Sequence, residues 1–310
     1  MADEKYREHL MGRRHPECPE RYDAVMGALD RPGLTGALRR IPARDATEDE
    51  LLRCHTAAYL AAARRDVASG RPYLSTGDTD ITPNSWEVAE RAAGGVLNAV
   101  DAVCSGEAEN AFCAVRPPGH HATASRGMGF CLLNNVALAA RHAQKRHGVG
   151  RVLIVDWDVH HGNGTQEIFY EDGSVFFFST HQWPLYPGTG RADETGEGAG
   201  EGATMNVPLP AGSGREEILG AVEQALIPAA EEFRPELVLI SAGFDSRDGD
   251  LLGRFTLSDE DFADLTAAVM GIADRWAGGR VVSMLEGGYS LEGLGSAAAA
   301  HVGRMGGVRS

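Results

Sequence analysis

The sequence predicts an α/β fold: a central parallel sheet with helices on both faces, three layers in all. Three observations predict it. Residues 111–115, 152–155, 174–179, 237–241 and 281–285 are apolar runs without strict alternation, as in strands buried on both faces. Helical stretches separate most of these runs, and strands alternating with helices argue for a parallel sheet. The segments richest in reactive side chains all follow the ends of these strands, where open α/β sheets place their sites.

The elements follow in order. The first 55 residues are polar and turn-rich. HPECPER (15–21) reads as a rigid turn feeding a helix to about residue 29, with Pro19 near its first position. Residues 49–54 and 57–69 read as short helices. Residues 70–84 read as a long loop, and long loops on compact domains are often functional. Asp78 and Asp80 lie in it and read as ordinary loop solvation. Ser85 is expected to cap a long helix ending near residue 105. A strand at 111–115 runs into Arg116-Pro117-Pro118-Gly119-His120-His121, and a helix spans 134–147. The strand at 152–155 delivers Asp156, Asp158, His160 and His161 within six residues. If the segment stays extended, His161 faces away from the other three. After the strand at 174–179, residues 181–202 read as a Gly-rich connection. A helix at 215–233 then precedes the strand at 237–241, which leads to Asp245. The next helix starts at Ser258, with Asp261 three residues on as an approximate capping box. The strand at 281–285 leads to Glu286-Gly287-Gly288-Tyr289, and a helix at 291–301 closes the chain. No linker, repeat or low-complexity tract divides it, so one domain over 1–310 is expected.

Composition narrows the function. The chain has 310 residues, 43% hydrophobic and 24% charged, with a net charge of −15. No basic patch suits direct nucleic-acid binding, and the acidity favours cationic partners. Five cysteines with no CxxC pair argue against a disulfide framework or a thiolate zinc ribbon. Residues 1–15 have no signal-peptide core and no apolar run approaches a membrane span, so a reduced cytoplasmic location is expected.

A catalytic zinc site takes three protein ligands and leaves one position open. Asp158 and His160 supply two. Asp245, at another strand end, is the best third, although alone it reads as a helix cap or turn residue. His120 and His121 sit on a loop curved by two prolines. One imidazole can take a proton from water and the other can give one to a leaving amine. Asp156 and Asn163 are candidates to fix their tautomers. The Tyr289 hydroxyl can donate to a developing oxyanion. Phe130 and Tyr186, in Gly-rich loops, are either walls of a narrow slot or loop anchors.

RPPGHHA (116–122), GFCLLNNVA (129–137), DWDVHHGNGTQ (156–166), GFDSRDGD (243–250) and EGGY (286–289) together resemble the zinc-dependent histone deacetylase family, which includes acetylpolyamine amidohydrolases and acetoin-utilisation proteins. The resemblance spans about residues 14–301, and Asn163 and HPECPER resemble its class II branch. It implies an arginase/deacetylase-type fold with an eight-stranded parallel sheet. It implies zinc on Asp158, His160 and Asp245, His120 paired with Asp156, His121 as general base oriented by Asn163, and Tyr289 on the carbonyl. Gly129, Phe130 and Tyr186 would line an acyl-lysine tunnel, and Arg21 a product channel. Potassium would bind mainly backbone oxygens of Asp156, Asp158, His160, Ser179 and Thr180, with a second ion near Phe169, Asp172 and Val175.

Acyl-lysine proteins or peptides are therefore the expected substrates. The resemblance places a glutamate after the third ligand in polyamine-selective members, where this chain has Leu252; an acetylpolyamine amidohydrolase is the rival within enzymes. An arginase-like two-metal hydrolase needs more bridging carboxylates. A non-catalytic acyl-lysine binding module predicts a missing ligand or tyrosine, and none is missing.

Overall fold

In the computed structural model, residues 1–31 and 33–308 are described; Pro32, Arg309 and Ser310 lie outside the described residues. Short helices open the chain: α1 (Glu20–Leu29), α2 (Glu48–Leu51) and α3 (Ala57–Ala68). Thr47 and Glu50 form a capping box on α2, and Thr56 caps α3. The long α4 (Ser85–Cys104) follows, then β1 (Asn110–Cys113) and α5 (Asn135–His147). Ser85 is the first helical residue and not the cap. Its buried hydroxyl accepts from Thr82 N–H and pairs with His9 Nδ1, each at 2.8 Å, so tertiary contact claims the side chain.

β2 (Val152–Asp156) leads to α6 (Asn163–Phe169), then β3 (Val175–Gln182) and β4 (Thr204–Leu209). β3 runs into the stretch expected to be Gly-rich connection, and β4 is a strand that the sequence reading did not anticipate. α7 (Arg215–Ala221) continues through a π turn at Val222–Leu226 into α8 (Ile227–Phe233). Pro228 has no N–H and crowds the carbonyl four residues back; the wider π turn accommodates it. β5 (Leu237–Ala242), α9 (Asp259–Trp276), β6 (Val281–Leu285) and α10 (Leu291–Met305) complete the chain. The capping box of Ser258 and Asp261 is present on α9.

The strands form one parallel sheet in the order β1-β6-β5-β2-β3-β4. It has six strands among the described residues, not the eight that the resemblance implies. Both edges are limited. Beyond β1, the N–H of Ala114 is taken by the carbonyl of Met1. On β4, Pro208 offers no N–H for a further ladder. β2, β3, β5 and β6 are buried along their whole length, which explains their unbroken apolar runs. The register aligns Asp156 with both Ser179 and Ser241, and Leu285 with Ala242. β1, β2, β5 and β6 therefore end within a residue of one another, and the loops after them converge. Among the described residues, no helix is long and apolar enough to cross a membrane.

Candidate active site

β2 ends at Asp156, and the chain bends before Asp158. The bend keeps Asp158 and His160 on one side. His161 points elsewhere, bonding Thr189 Oγ1 through Nδ1 at 2.8 Å and Gln166 Oε1 through Nε2 at 2.9 Å. Asp245, delivered by β5, reaches the same point as Asp158 and His160: a ligand atom from each lies within 4.8 Å of the others. His160 Nδ1 is 3.0 Å from Asp158 Oδ1 and 3.2 Å from Asp245 Oδ2.

Backbone amides hold these carboxylates. Val159 N–H donates to Asp245 Oδ1 at 2.9 Å, His160 N–H to Asp158 Oδ1 at 2.9 Å, and Gly287 N–H to Asp158 Oδ2 at 2.8 Å. A Cβ at Gly287 would fall on Asp245 Oδ2 and Asp158 Oδ2, and one at Gly243 on Asp158. Only glycine lets the two turns approach so closely. Despite its nearness to His160, Asp245 Oδ2 is fully buried without a correctly directed hydrogen bond among the described residues. An unsatisfied buried carboxylate oxygen is costly, and a coordinated cation removes that cost. Two carboxylates and one imidazole suit a borderline divalent ion such as zinc. The donor set therefore fits the metal expected from the sequence.

The local fields agree with crowding of charge. Burial raises the Asp245 carboxyl to about 7, with neighbouring Asp158 adding to the effect. His160 is pushed up to about 10: burial opposes its charge, but Asp158 and Asp245 outweigh it.

The tandem histidines sit directly beside this cluster and have different partners. His120 Nδ1 lies 2.9 Å from Asp156 Oδ2. Burial disfavours its charge, yet Asp156 and Asp158 hold its pKa well above that of an ordinary imidazole. His121 Nδ1 lies 2.8 Å from Asn163 Oδ1. With the amide oxygen assigned there, Nδ1 carries the proton and Nε2 keeps its lone pair. Burial, then the neighbouring His120 and His160, push His121 well below the usual range. The surroundings thus push adjacent imidazoles in opposite directions, the separation that acid–base chemistry uses.

Tyr289 is 6% exposed, and its phenol is held protonated chiefly by burial and then by Asp245. Arg21 lies beneath it, with Cζ 5.1 Å from the ring centre. Arg21 donates to the carbonyls of Gly288 at 2.6 Å and Glu286 at 2.5 Å, and pairs with Glu17 at 2.9 Å. Phe130 meets Tyr289 edge-on at 6.0 Å, and Tyr186 meets His121 at 5.1 Å. Both rings border the site. Gly129 adopts φ +56°, and a Cβ there would strike the His121 ring. Phe130 has φ +68°, a costly backbone for a bulky residue.

Leu252 is exposed on the loop after Asp245. Asp250 links that loop to Tyr289, accepting from the N–H groups of Tyr289 and Ser290 at 2.6 and 3.0 Å. Of the expected potassium residues, Asp156 and Ser179 are paired in register and buried. Asp172 N–H donates to the Phe169 carbonyl, Val175 N–H donates to the Asp172 carbonyl, and the Asp172 carboxylate serves Ser174 and Arg141.

The roles of four residues, one glutamate and three aspartates, are not legible in the sequence. Glu286 Oε2 accepts from the backbone N–H groups of Gly119 and His120 at 2.6 and 3.1 Å, while Oε1 accepts from Ser241 at 3.1 Å. It clamps the histidine loop onto the end of β6. Its position in EGGY was visible, but its target 167 residues away was not. Asp78 accepts from Gly129 N–H at 2.9 Å and from the Tyr186 hydroxyl at 3.1 Å, tying both rim loops together. Asp80 pairs with Arg13 at 3.1 Å. These aspartates do more than solvate their loop. Asp250 is the third, and the GFDSRDGD motif contained it without indicating its partners.

A histone deacetylase domain model matches residues 15–305. The chain is 42% identical over 297 residues to a histone deacetylase-like amidohydrolase of Pseudomonas aeruginosa, covering 96% of this chain and 78% of that one. It is 41% identical over 293 residues to a probable deacetylase of Archaeoglobus fulgidus, covering 94% and 80% respectively. It is 43% identical over 295 residues to polyamine deacetylase HDAC10 of Homo sapiens, covering 90% of this chain and 43% of that one. Its fold matches the crystal structure of the HDA15 HD domain with a TM-score of 0.90 at 38% identity, covering 97% of this chain and 88% of that one.

Proposed function

From the premise that this chain belongs to the histone deacetylase family and is a deacetylase of the amidohydrolase kind, we propose that it removes acetyl or related acyl groups from the ε-amine of lysine in peptides or proteins. The observation that carries this reading is the pair of adjacent histidines with unlike partners, set against three converging ligands.

Asp158, His160 and Asp245 would hold one zinc ion, which would supply Lewis acidity toward the acyl carbonyl and water. His121 takes the proton from the attacking water through Nε2, and Asn163 keeps Nδ1–H in place to make that possible. The Tyr289 hydroxyl donates to the developing oxyanion. His120, whose charged form the Asp156 carboxylate favours, would add positive charge beside the reacting centre. A protonated histidine gives its proton to the leaving amine. Gly129, Phe130 and Tyr186 border the acyl-lysine slot, and Arg21 lies at the foot of the product path. For potassium, the proposed ligands are backbone oxygens of Asp156, Asp158, His160, Ser179 and Thr180, where an ion would supply fixed charge near the end of β2, and a second set around Phe169, Asp172 and Val175.

A second reading is favoured by Asp78 at the rim and by the likeness to HDAC10: cleavage of acetylpolyamines. Against it stands the apolar Leu252, which offers nothing to a desolvated ammonium. The test is a panel of acetyl-lysine peptides, longer acyl-lysines and acetylspermidine on the zinc-loaded enzyme. Higher kcat/KM on a peptide is expected. Higher kcat/KM on acetylspermidine than on any peptide would replace the first reading with the second.

A further inference from the structure

The buried ligand set has a counterpart outside the sheet. Asp101, near the C-terminal end of α4, faces His142 and His147 on α5. Nε2 of His142 lies 2.8 Å, and Nε2 of His147 2.6 Å, from one and the same oxygen, Asp101 Oδ1. The three ligand atoms lie within 4.8 Å of one another. The His142 side chain is 2% exposed, while those of Asp101 and His147 are 34% and 21% exposed. The donors are thus anchored on the protein side and open to water on the other.

Two imidazole nitrogens and a carboxylate oxygen are a donor set for a borderline divalent cation. Bonds of about 2.0–2.2 Å at tetrahedral angles separate donor atoms by about 3.3 Å. The observed 2.6–2.8 Å separations must open by about half an ångström, which side-chain rotation on two helix surfaces allows. Water can complete the coordination on the exposed side.

The surroundings of His142 set a condition. Arg53 Nη1 lies 3.0 Å from His142 Nδ1 and donates to it, so Nε2 carries the proton and donates to Asp101. A cation on Nε2 requires the opposite tautomer, with Nδ1–H seeking an acceptor. Glu50 Oε1 is 3.6 Å from Nδ1 and can take that bond. Arg44 already binds Glu50 at 2.6 and 2.7 Å and keeps it in place. Arg53 must then turn away, into the open pocket it lines with Asp49, Leu52 and Arg141.

We infer that Asp101, His142 and His147 form a second site for a divalent cation of the zinc, cobalt or nickel type, distinct from the strand-end cluster, and that Arg53 competes with the ion for His142. A bound ion would pin α4 to α5. It lies at the far end of α5 from Asn134, which caps that helix and donates to the Ala122 carbonyl beside the tandem histidines.

The experiment is equilibrium dialysis of the zinc-loaded enzyme against rising zinc, with metal content measured directly and deacetylation followed in parallel. Wild type should take up a second equivalent. His147→Ala and Asp101→Asn should each lose that equivalent while retaining the first and full basal activity. Arg53→Ala should bind it several-fold more tightly. A single equivalent in wild type at every concentration, or a second one that survives both substitutions, would overturn the site. Unchanged or weaker uptake by Arg53→Ala would overturn the competition.

Discussion

The cluster at the strand ends and the cluster between α4 and α5 use the same residue types, yet their surroundings differ in kind. At the strand ends, backbone N–H groups of Val159, His160 and Gly287 hold the carboxylates, and glycines at 243 and 287 bring separate loops into contact. Between the helices the backbone is already committed to its own hydrogen bonds, and only side chains hold Asp101. The carboxyls respond accordingly. Asp245, buried and close to Asp158, rises to about 7. Asp101 is lowered: partial burial opposes this, but hydrogen bonds from His147 and His142 prevail. Loops at the end of a parallel sheet preorganise charge at a cost that the fold has already met, whereas paired helix faces leave charge adjustable. The first arrangement suits catalysis and the second suits reversible occupancy.

Four substitutions test this contrast. Asp245→Ala should have the largest effect, abolishing both deacetylation and the tightly held zinc, as read by metal analysis of the purified variant. Full zinc content would remove Asp245 from the ligand set. Tyr289→Phe should keep zinc and substrate binding and lose roughly 10²–10³ in kcat. A rate near wild type would show that another group carries the oxyanion. Leu252→Glu should shift the ratio of kcat/KM for acetylspermidine over peptide upward by about tenfold, equivalent to about 1.4 kcal/mol. No change in that ratio would place residue 252 outside the substrate's reach. His147→Ala should leave activity intact and lower Tm by about 2–4 °C at most, because the lost interaction is partly solvated. A large loss of activity would show that the helix pair communicates with the strand ends.

The sequence by itself determined the helix-strand alternation, the buried character of β2, β3, β5 and β6, and the residues gathered at their ends. These are local properties: an apolar run needs no distant partner to be recognised, and Asp158 and His160 are two residues apart. The α9 capping box was readable for the same reason, since its partners are three residues apart. Tertiary structure alone decided the strand count, the existence of β4 with its Pro208, and the diversion of Ser85 from cap to buried acceptor. It alone showed Glu286 gripping the histidine loop, Asp78 joining two rim loops, and Asp101 shared by two imidazoles. In each case the side chain's partner lies on another element, and hydrogen-bond geometry across that distance exists only once the chain has folded.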